Sequence, residues 1–144
     1  MSLTLEPVSI EIVQRLVPLA LSRVPAGFPS PAADDLEDLV DPMAWIIRHE
    51  SSTFFWRISG DSLEVEGIFD GDIIAIDRAG RKRNGRVVLA LVDGGITLKK
   101  LRKQGDEWFL DPHSRNDQHK PIRCTESTEI WGVAAGIFRR LPIE

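Results

Sequence analysis

The fold of this chain is set by residues 60–72, which read Gly-Asp-Ser-Leu-Glu-Val-Glu-Gly-Ile-Phe-Asp-Gly-Asp. The β-prone runs 53–58 and 73–76 flank this stretch, so it joins two predicted strands. Its three glycines and three aspartates permit a tight, irregular backbone path that can hold one hydroxyl, that of Ser62, at a fixed angle. The plainer interpretation of this stretch is a polar loop between strands. A functional role for Ser62 is favoured only by further motifs upstream and downstream of the stretch.

The composition is that of an ordinary globular protein. The chain has 144 residues, 42% of them hydrophobic and 28% charged, which suits one domain or a smaller domain with an arm. A formal net charge of −4 predicts no general attraction to nucleic acid or to anionic membranes. No apolar run approaches the ~18 residues of a membrane span, and acidic residues precede the short apolar run 16–21, which argues against a secretory leader. The single cysteine, Cys124, excludes an internal disulfide, and we expect a cytoplasmic protein.

The N-terminal third is predicted to form an arm and a helical segment. Residues 1–30 contain four prolines, which exclude a continuous helix or a central strand and favour an extended arm. Ser30-Pro31 is a typical helix start, followed by apolar residues near helical spacing and by acidic residues in the first turn. Asp41-Pro42 repeats the start signal. We therefore predict a short helical segment over 31–50, as two helices or one broken helix.

From residue 51 onward the pattern is that of a β domain, so the predicted fold class is mainly β. Asp93-Gly94-Gly95 separates two predicted strands and favours a tight hairpin turn, because its residues tolerate positive φ. The basic loop 80–85 reads Gly-Arg-Lys-Arg-Asn-Gly, and we interpret it as a solvated turn, since three charges in an acidic chain are a weak sign of nucleic-acid binding. The predicted strands are 53–59, 72–77, 86–92, 96–103, 107–111 and 129–138.

Ser62 needs a base if it is to attack a carbonyl. His49, His113 and His119 lie in no predicted strand that would present them rigidly, and we interpret them as surface or loop residues. The alternative base is a lysine, as in serine-lysine dyads.

Two lysines, Lys99 and Lys100, lie on the predicted strand 96–103. Alternation puts them on opposite faces, each beside apolar residues, so periodicity does not choose between them. A lysine base must be neutral, which requires a pKa of about 7–8 instead of ~10.4, and burial among apolar groups lowers a lysine pKa in this way. A surface lysine is the plainer interpretation.

Together these motifs resemble the self-cleaving serine-lysine peptidases that include the LexA repressor and the mutagenesis protein UmuD. The likeness rests on Gly60-Asp61-Ser62, residues 67–72 and Thr97-Leu98-Lys99-Lys100-Leu101, and it extends from around residue 24 to the end of the chain. Upstream, residues 26–33 resemble the cleavage site of that family. The resemblance implies a LexA/UmuD-type β-clip catalytic and dimerisation domain over 51–144, with no cofactor.

The resemblance also implies a role for each motif. Ser62 would be the nucleophile and Lys99, rather than Lys100, its general base. The bond between Ala26 and Gly27 would be the site of self-cleavage, within the arm of residues 1–30. A departure from the family pattern is His119, which stands where an aromatic residue is usual.

The expected partners follow from the same resemblance. Only about two dozen residues precede the cleavage region, and they lack a recognition-helix pattern, which favours a UmuD-like protein without sequence-specific DNA binding. Such a protein would act in the SOS response as a homodimer whose self-cleavage is stimulated by RecA filaments on single-stranded DNA. The processed form would join an error-prone, UmuC-like polymerase subunit in translesion synthesis, with no membrane partner.

Two other functions stay open. One is a non-enzymatic regulatory module of the same fold that binds the polymerase or RecA, and the other is a serine-lysine peptidase that acts on other proteins. The intact Ser62, Lys99 and Ala26-Gly27 disfavour the first, because a binding module needs none of them. The absence of a membrane anchor like that of signal peptidases disfavours the second.

Overall fold

The computed structural model describes residues 14–20, 23–29 and 36–144, which form two antiparallel sheets. Strand β1 (Val17–Ala20) pairs with β2 (Leu36–Val40) in a two-stranded ribbon. A larger sheet of seven strands has the order β3-β4-β9-β5-β6-β7-β8. Its strands are β3 (Thr53–Arg57), β4 (Ile73–Asp77), β5 (Val87–Val92), β6 (Gly95–Gln104), β7 (Glu107–Asp111), β8 (Ile122–Arg123) and β9 (Glu129–Phe138).

The mainly β fold is therefore confirmed. The six strands predicted from residue 53 onward are all present, with ends within two residues of the predicted ones. Beyond residue 53 the pattern missed only β8, a two-residue strand that pairs with β7. No described helix is long and apolar enough to cross a membrane.

The helical segment predicted over 31–50 contains one of its expected helices, but part of it is a strand. Asp41 caps the helix α1 (Pro42–Ile46), since its Oδ1 accepts hydrogen bonds from the backbone N–H groups of Met43 and Ala44 at 3.1 and 3.3 Å. The end of the first predicted helix is instead the strand β2, in register with β1. The five residues of β2 are too few to form a stable isolated helix, whereas pairing with β1 supplies backbone hydrogen bonds.

Part of the N-terminal prediction lies outside the described residues. This holds for residues 1–13, 21–22 and 30–35, which include the Ser30-Pro31 helix start. The division of the chain near residues 30 and 50 stays a prediction.

Buried residues form two clusters, and β5 contributes to both. Leu89 and Leu91 enter one cluster, while Val88 and Ala90 enter the other, as expected for a strand with both faces covered. The first cluster also contains residues from the loop between β3 and β4. The core members of that cluster are Leu63, Ile68, Ile74, Ile76, Leu89, Leu91 and Trp131.

A two-residue turn joins β5 to β6. Asp93 and Gly94 have φ values of 48° and 83°, the left-handed values that a type I′ hairpin requires at both positions. The predicted hairpin is thus confirmed, with Gly95 as the first residue of β6 rather than part of the turn. The turn sets a register in which Val88 lies opposite Lys99.

Candidate active site

The side chains of Ser62 and Lys99 meet beside a cleft. Lys99 Nζ lies 3.3 Å from Ser62 Oγ, although the two residues belong to a loop and to a distant strand. The same amine donates to Thr97 Oγ1 at 2.6 Å and to the carbonyl oxygen of Leu98 at 3.1 Å. The Ser62 hydroxyl is also within 3.4 Å of that carbonyl.

Strand alternation separates the two lysines that the sequence left as alternatives. Lys99 is only 8% exposed. Lys100 points to the other face, where its Nζ pairs with Glu66 Oε1 at 2.7 Å and its side chain is 37% exposed. The structure therefore brings Lys99, and not Lys100, to the Ser62 hydroxyl.

Burial lowers the pKa of Lys99 below the ordinary value for lysine, because desolvation disfavours the ammonium form. The three contacts of its amine suit both protonation states. An ammonium donates to Ser62, Thr97 and Leu98. A neutral amine can keep the last two as acceptors and direct its lone pair at the Ser62 hydroxyl, which is the arrangement of a general base.

The loop that carries Ser62 is anchored on both sides. Leu63 is 2% exposed and Ile68 is 4% exposed, so both insert into the core. Between them is a 3₁₀ turn, Glu64–Glu66, followed by Gly67 with a φ of 83°. This left-handed residue lets the chain reverse sharply, so that the backbone N–H of Ile68 reaches the carbonyl of Leu63 at 3.3 Å.

A second loop, residues 112–119, braces the first. The backbone N–H of His113 donates to the Ser62 carbonyl at 2.7 Å, and the His113 carbonyl accepts from the N–H of Val65 at 3.0 Å. Glu64 Oε1 accepts a hydrogen bond from the backbone N–H of Arg115 at 2.8 Å. These contacts tie the Ser62 carbonyl and the residues that follow it to an adjacent segment, and nothing in the sequence pattern pointed to them.

The histidines pair with carboxylates rather than with the serine. His49 Nδ1 lies 2.6 Å from Asp77 Oδ2, and His113 Nδ1 lies 2.6 Å from Glu66 Oε1. His119 Nε2 lies 2.6 Å from Asp61 Oδ1, and this hydrogen bond lowers the pKa of Asp61. His119 also lines the cleft, a position that its place in a loop did not predict.

The cleft has a volume of about 290 Å³, and both Ser62 and Lys99 line it. Its lining also includes four buried apolar residues, Leu63, Ile68, Ile74 and Leu89. Among the described residues, none accepts a hydrogen bond from the backbone N–H of Ser62. A narrow apolar cleft with a serine, a buried lysine and a free N–H is suited to acyl transfer.

Ala26 and Gly27 are described but do not line the cleft. Both are exposed, as are their neighbours Val24 and Phe28, at 91% and 93%. The structure therefore brings together the two predicted catalytic residues and leaves the predicted cleavage site apart from them.

Thr97 contacts the Lys99 amine, a role that the sequence pattern did not predict. A signal for it existed, because Thr97 precedes Lys99 by two residues and alternation puts both on one face of β6.

Comparison with known proteins identifies the family of this chain. The model of the family described as "Peptidase S24-like" matches residues 18–135. The chain belongs to the S24 peptidase family. The resemblance to LexA and UmuD predicted this membership, and it is confirmed.

Individual relatives cover most of this S24 peptidase-family chain. Protein SamA of Salmonella typhimurium is 45% identical over 130 residues, 90% of each chain. Protein ImpA of Shigella flexneri is 35% identical over 123 residues, 85% of this chain and 83% of the relative. A LexA repressor of Shewanella baltica is 34% identical over 134 residues, and the match spans 90% of this chain but 62% of the repressor.

Proposed function

We propose that this protein is a UmuD-like peptidase of the SOS response that cleaves its own Ala26–Gly27 bond. The observation that carries the proposal is the buried Lys99 amine, 3.3 Å from the Ser62 hydroxyl. A structural lysine at this depth would be expected to pair with a carboxylate, whereas the partners of this amine are two hydroxyls and a carbonyl.

The contacts of the site suggest the order of the proton transfers. Neutral Lys99 accepts the Ser62 proton as Oγ attacks the carbonyl carbon of Ala26, and the Ser62 N–H stabilises the oxyanion. The Lys99 ammonium then returns the proton to the amine of Gly27, which leaves as the new N-terminus of residues 27–144. Water, deprotonated by the same lysine, hydrolyses the acyl-enzyme and restores Ser62.

The segment around Ala26 must enter the cleft for this reaction. It is exposed, and the two residues at the bond carry the smallest side chains, which a cleft of about 290 Å³ can accept in extended form. The 34–45% identity with SamA, ImpA and a LexA repressor supports a function in the same group of proteins.

The finer parts of the proposal are those that the resemblance implies. The protein would be a cytoplasmic homodimer, its cleavage stimulated by RecA filaments on single-stranded DNA. The shortened form would serve as an accessory subunit of an error-prone polymerase.

Mass spectrometry of the purified chain, incubated from about pH 7 to about pH 10 with and without activated RecA filaments, tests the reaction. We expect a fragment that begins at Gly27, formed faster as the pH rises because more Lys99 becomes neutral. Ser62→Ala and Lys99→Ala should abolish it. Lys100→Ala is the matched control, since it removes the neighbouring amine from the other face, and it should leave the fragment.

An unchanged mass under all conditions would overturn the proposal in favour of the binding module. Cleavage that persists in Lys99→Ala but stops in Ser62→Ala would reject Lys99 as the base.

A further inference from the structure

Four arginines line a depression that shares no residue with the cleft. The depression has a volume of about 330 Å³. Arg48 follows α1, Arg81 and Arg83 lie in the loop after β4, and Arg86 directly precedes β5. The sequence pattern indicates a solvated turn with three charges for this loop, but the fold adds a cation from each of two other positions, Arg48 and Arg86. We call these four residues the arginine site.

The guanidinium groups of the arginine site are uncompensated. All four arginines are exposed, and within the described part of the chain none of their side chains makes a hydrogen bond or an ion pair. Arg102, Arg123 and Arg139, by contrast, each pair with a carboxylate. A concentration of positive charge therefore exists in a chain whose formal net charge is −4.

One carboxylate, that of Asp77, also lines the depression. It is buried, with 7% exposed. Its oxygens already contact His49 Nδ1 at 2.6 Å, Ser52 Oγ at 3.2 Å and the backbone N–H of Ala79 at 2.8 Å. Asp77 thus reduces the local charge but does not pair with the arginines.

The loop that carries the arginines is held in place. The backbone N–H of Gly85 donates to the Leu101 carbonyl at 2.7 Å, and Asn84 Oδ1 accepts from the N–H of Lys103 at 2.8 Å. At its other end, Gly80 packs so closely on Val133 that an added Cβ would lie 3.0 Å from the valine Cβ. An anchored loop presents its cations at a small entropic cost.

We propose that the arginine site binds the phosphates of a nucleic-acid single strand without reading its sequence. Guanidinium groups bind phosphate oxygens in a bidentate manner, and a flexible strand can lower a phosphate into a depression. Among the described residues no aromatic side chain lines the site, so binding would rest on the backbone phosphates alone, without a contribution from base stacking. The apolar lining is Val133, Ala134 and Ala135, which lacks the large anchor typical of a protein interface and so disfavours an acidic protein segment.

The number of arginines predicts the salt dependence. Four phosphate contacts on a single strand give a slope of log K against log salt of about −2.8, so affinity falls roughly 50-fold between about 50 and about 200 mM salt. Removal of two arginines should bring the slope to about −1.4.

Fluorescence anisotropy of a labelled oligo(dT) tests the site in the full chain. All proteins carry Ser62→Ala, which removes the proposed nucleophile. Their lengths therefore stay equal, and the proposed self-cleavage does not affect the comparison. The test variant adds Arg81→Gln and Arg83→Gln, and the control adds Arg115→Gln and Arg140→Gln, which remove the same charge from exposed arginines outside the site. We expect binding about tenfold weaker at about 200 mM salt, with half the slope, in the test variant alone.

Three results would overturn the proposal that the site binds nucleic acid, and a fourth would reject the choice of a single strand. They are an absence of oligo(dT) binding at low salt, an equal loss in both double variants, and tighter binding of poly-glutamate than of oligo(dT), which would make an acidic protein segment the ligand. Duplex DNA that binds as tightly as oligo(dT) would reject the choice of a single strand. Because Ser62 is replaced throughout, each result is independent of the proposed cleavage.

Discussion

Replacement of Thr97 by valine should slow self-cleavage and also shift its pH dependence. Valine keeps the shape of threonine but removes the hydroxyl that Lys99 Nζ contacts at 2.6 Å, the shortest contact of that amine. Two consequences follow, and they act in different pH ranges. Together they separate a positioning role for Thr97 from a merely structural one.

The first consequence is a lower maximum rate. Without Thr97 Oγ1, a neutral Lys99 amine keeps only the Leu98 carbonyl as an acceptor, so its lone pair is less firmly directed at Ser62. One hydrogen bond of this kind contributes about 1.5 kcal/mol, which corresponds to a rate about tenfold lower at high pH.

The second consequence is a lower midpoint of the pH–rate profile. An acceptor oxygen stabilises an ammonium more than a neutral amine, so its removal lowers the pKa of Lys99 further in the direction that burial already imposes. The neutral amine then forms at lower pH. The deficit of Thr97→Val should therefore be largest on the alkaline plateau and should shrink towards neutral pH.

The assay is the initial rate of fragment formation against pH for wild type, Thr97→Val and Thr128→Val. The control also removes a hydroxyl, one that accepts from the backbone N–H of Thr125 at 2.9 Å in the turn before β9, and it should leave rate and midpoint unchanged. Thr97→Ser should restore both, since it returns the oxygen. A midpoint that rises in Thr97→Val, or a deficit of equal size at every pH, would refute the reasoning.

Three further predictions concern stability, and urea unfolding measures each of them. Gly132→Ala should lower the free energy of unfolding by about 1–3 kcal/mol, because its Cβ would lie 2.5 Å from Ile76 Cγ2, and an unchanged urea midpoint would contradict the close packing. The hydrogen bonds from Arg139 hold the pKa of Asp72 below its usual range. This carboxylate therefore stabilises the fold above its unfolded pKa of about 4 and loses that effect as the pH falls through the folded value. Asp72→Asn should then flatten the dependence of stability on pH in the acid range, and an unaltered acid profile would reject the pair as its source. Folding lowers the pKa of Lys99, so stability should rise with pH between the folded pKa and the ordinary value of ~10.4. Lys99→Met should remove this rise. An identical alkaline stability profile in the variant would contradict the assignment of the rise to Lys99.

The local pattern was sufficient to predict most of the large sheet. Strands such as β5 and β9 are long runs of apolar and β-prone residues, and Asp93-Gly94 is among the strongest turn signals. The strand β2 was missed for the opposite reason. Its helical signal is local, whereas the pairing that makes it a strand comes from Val17–Ala20, far away in the chain.

The site was partly predictable. Periodicity places Lys99 and Lys100 on opposite faces of β6, and only the family resemblance preferred Lys99 as the base. The brace by residues 112–119 could not be predicted, because most of its contacts are made by backbone groups of two loops that have no period.

The hairpin turn Asp93-Gly94, directly before β6, decides which lysine faces Ser62. In the observed register Lys99 lies opposite Val88 and Lys100 opposite Val87. A slip of one residue would turn every side chain of β6 to the other face, so the ion pair of Lys100 with Glu66 would be lost and the buried position would pass to a neighbouring residue. A two-residue turn with both φ angles positive tolerates no such slip, since an added residue would require a different turn. The contact between Lys99 and Ser62 therefore depends on Asp93-Gly94, two residues that contact neither of them.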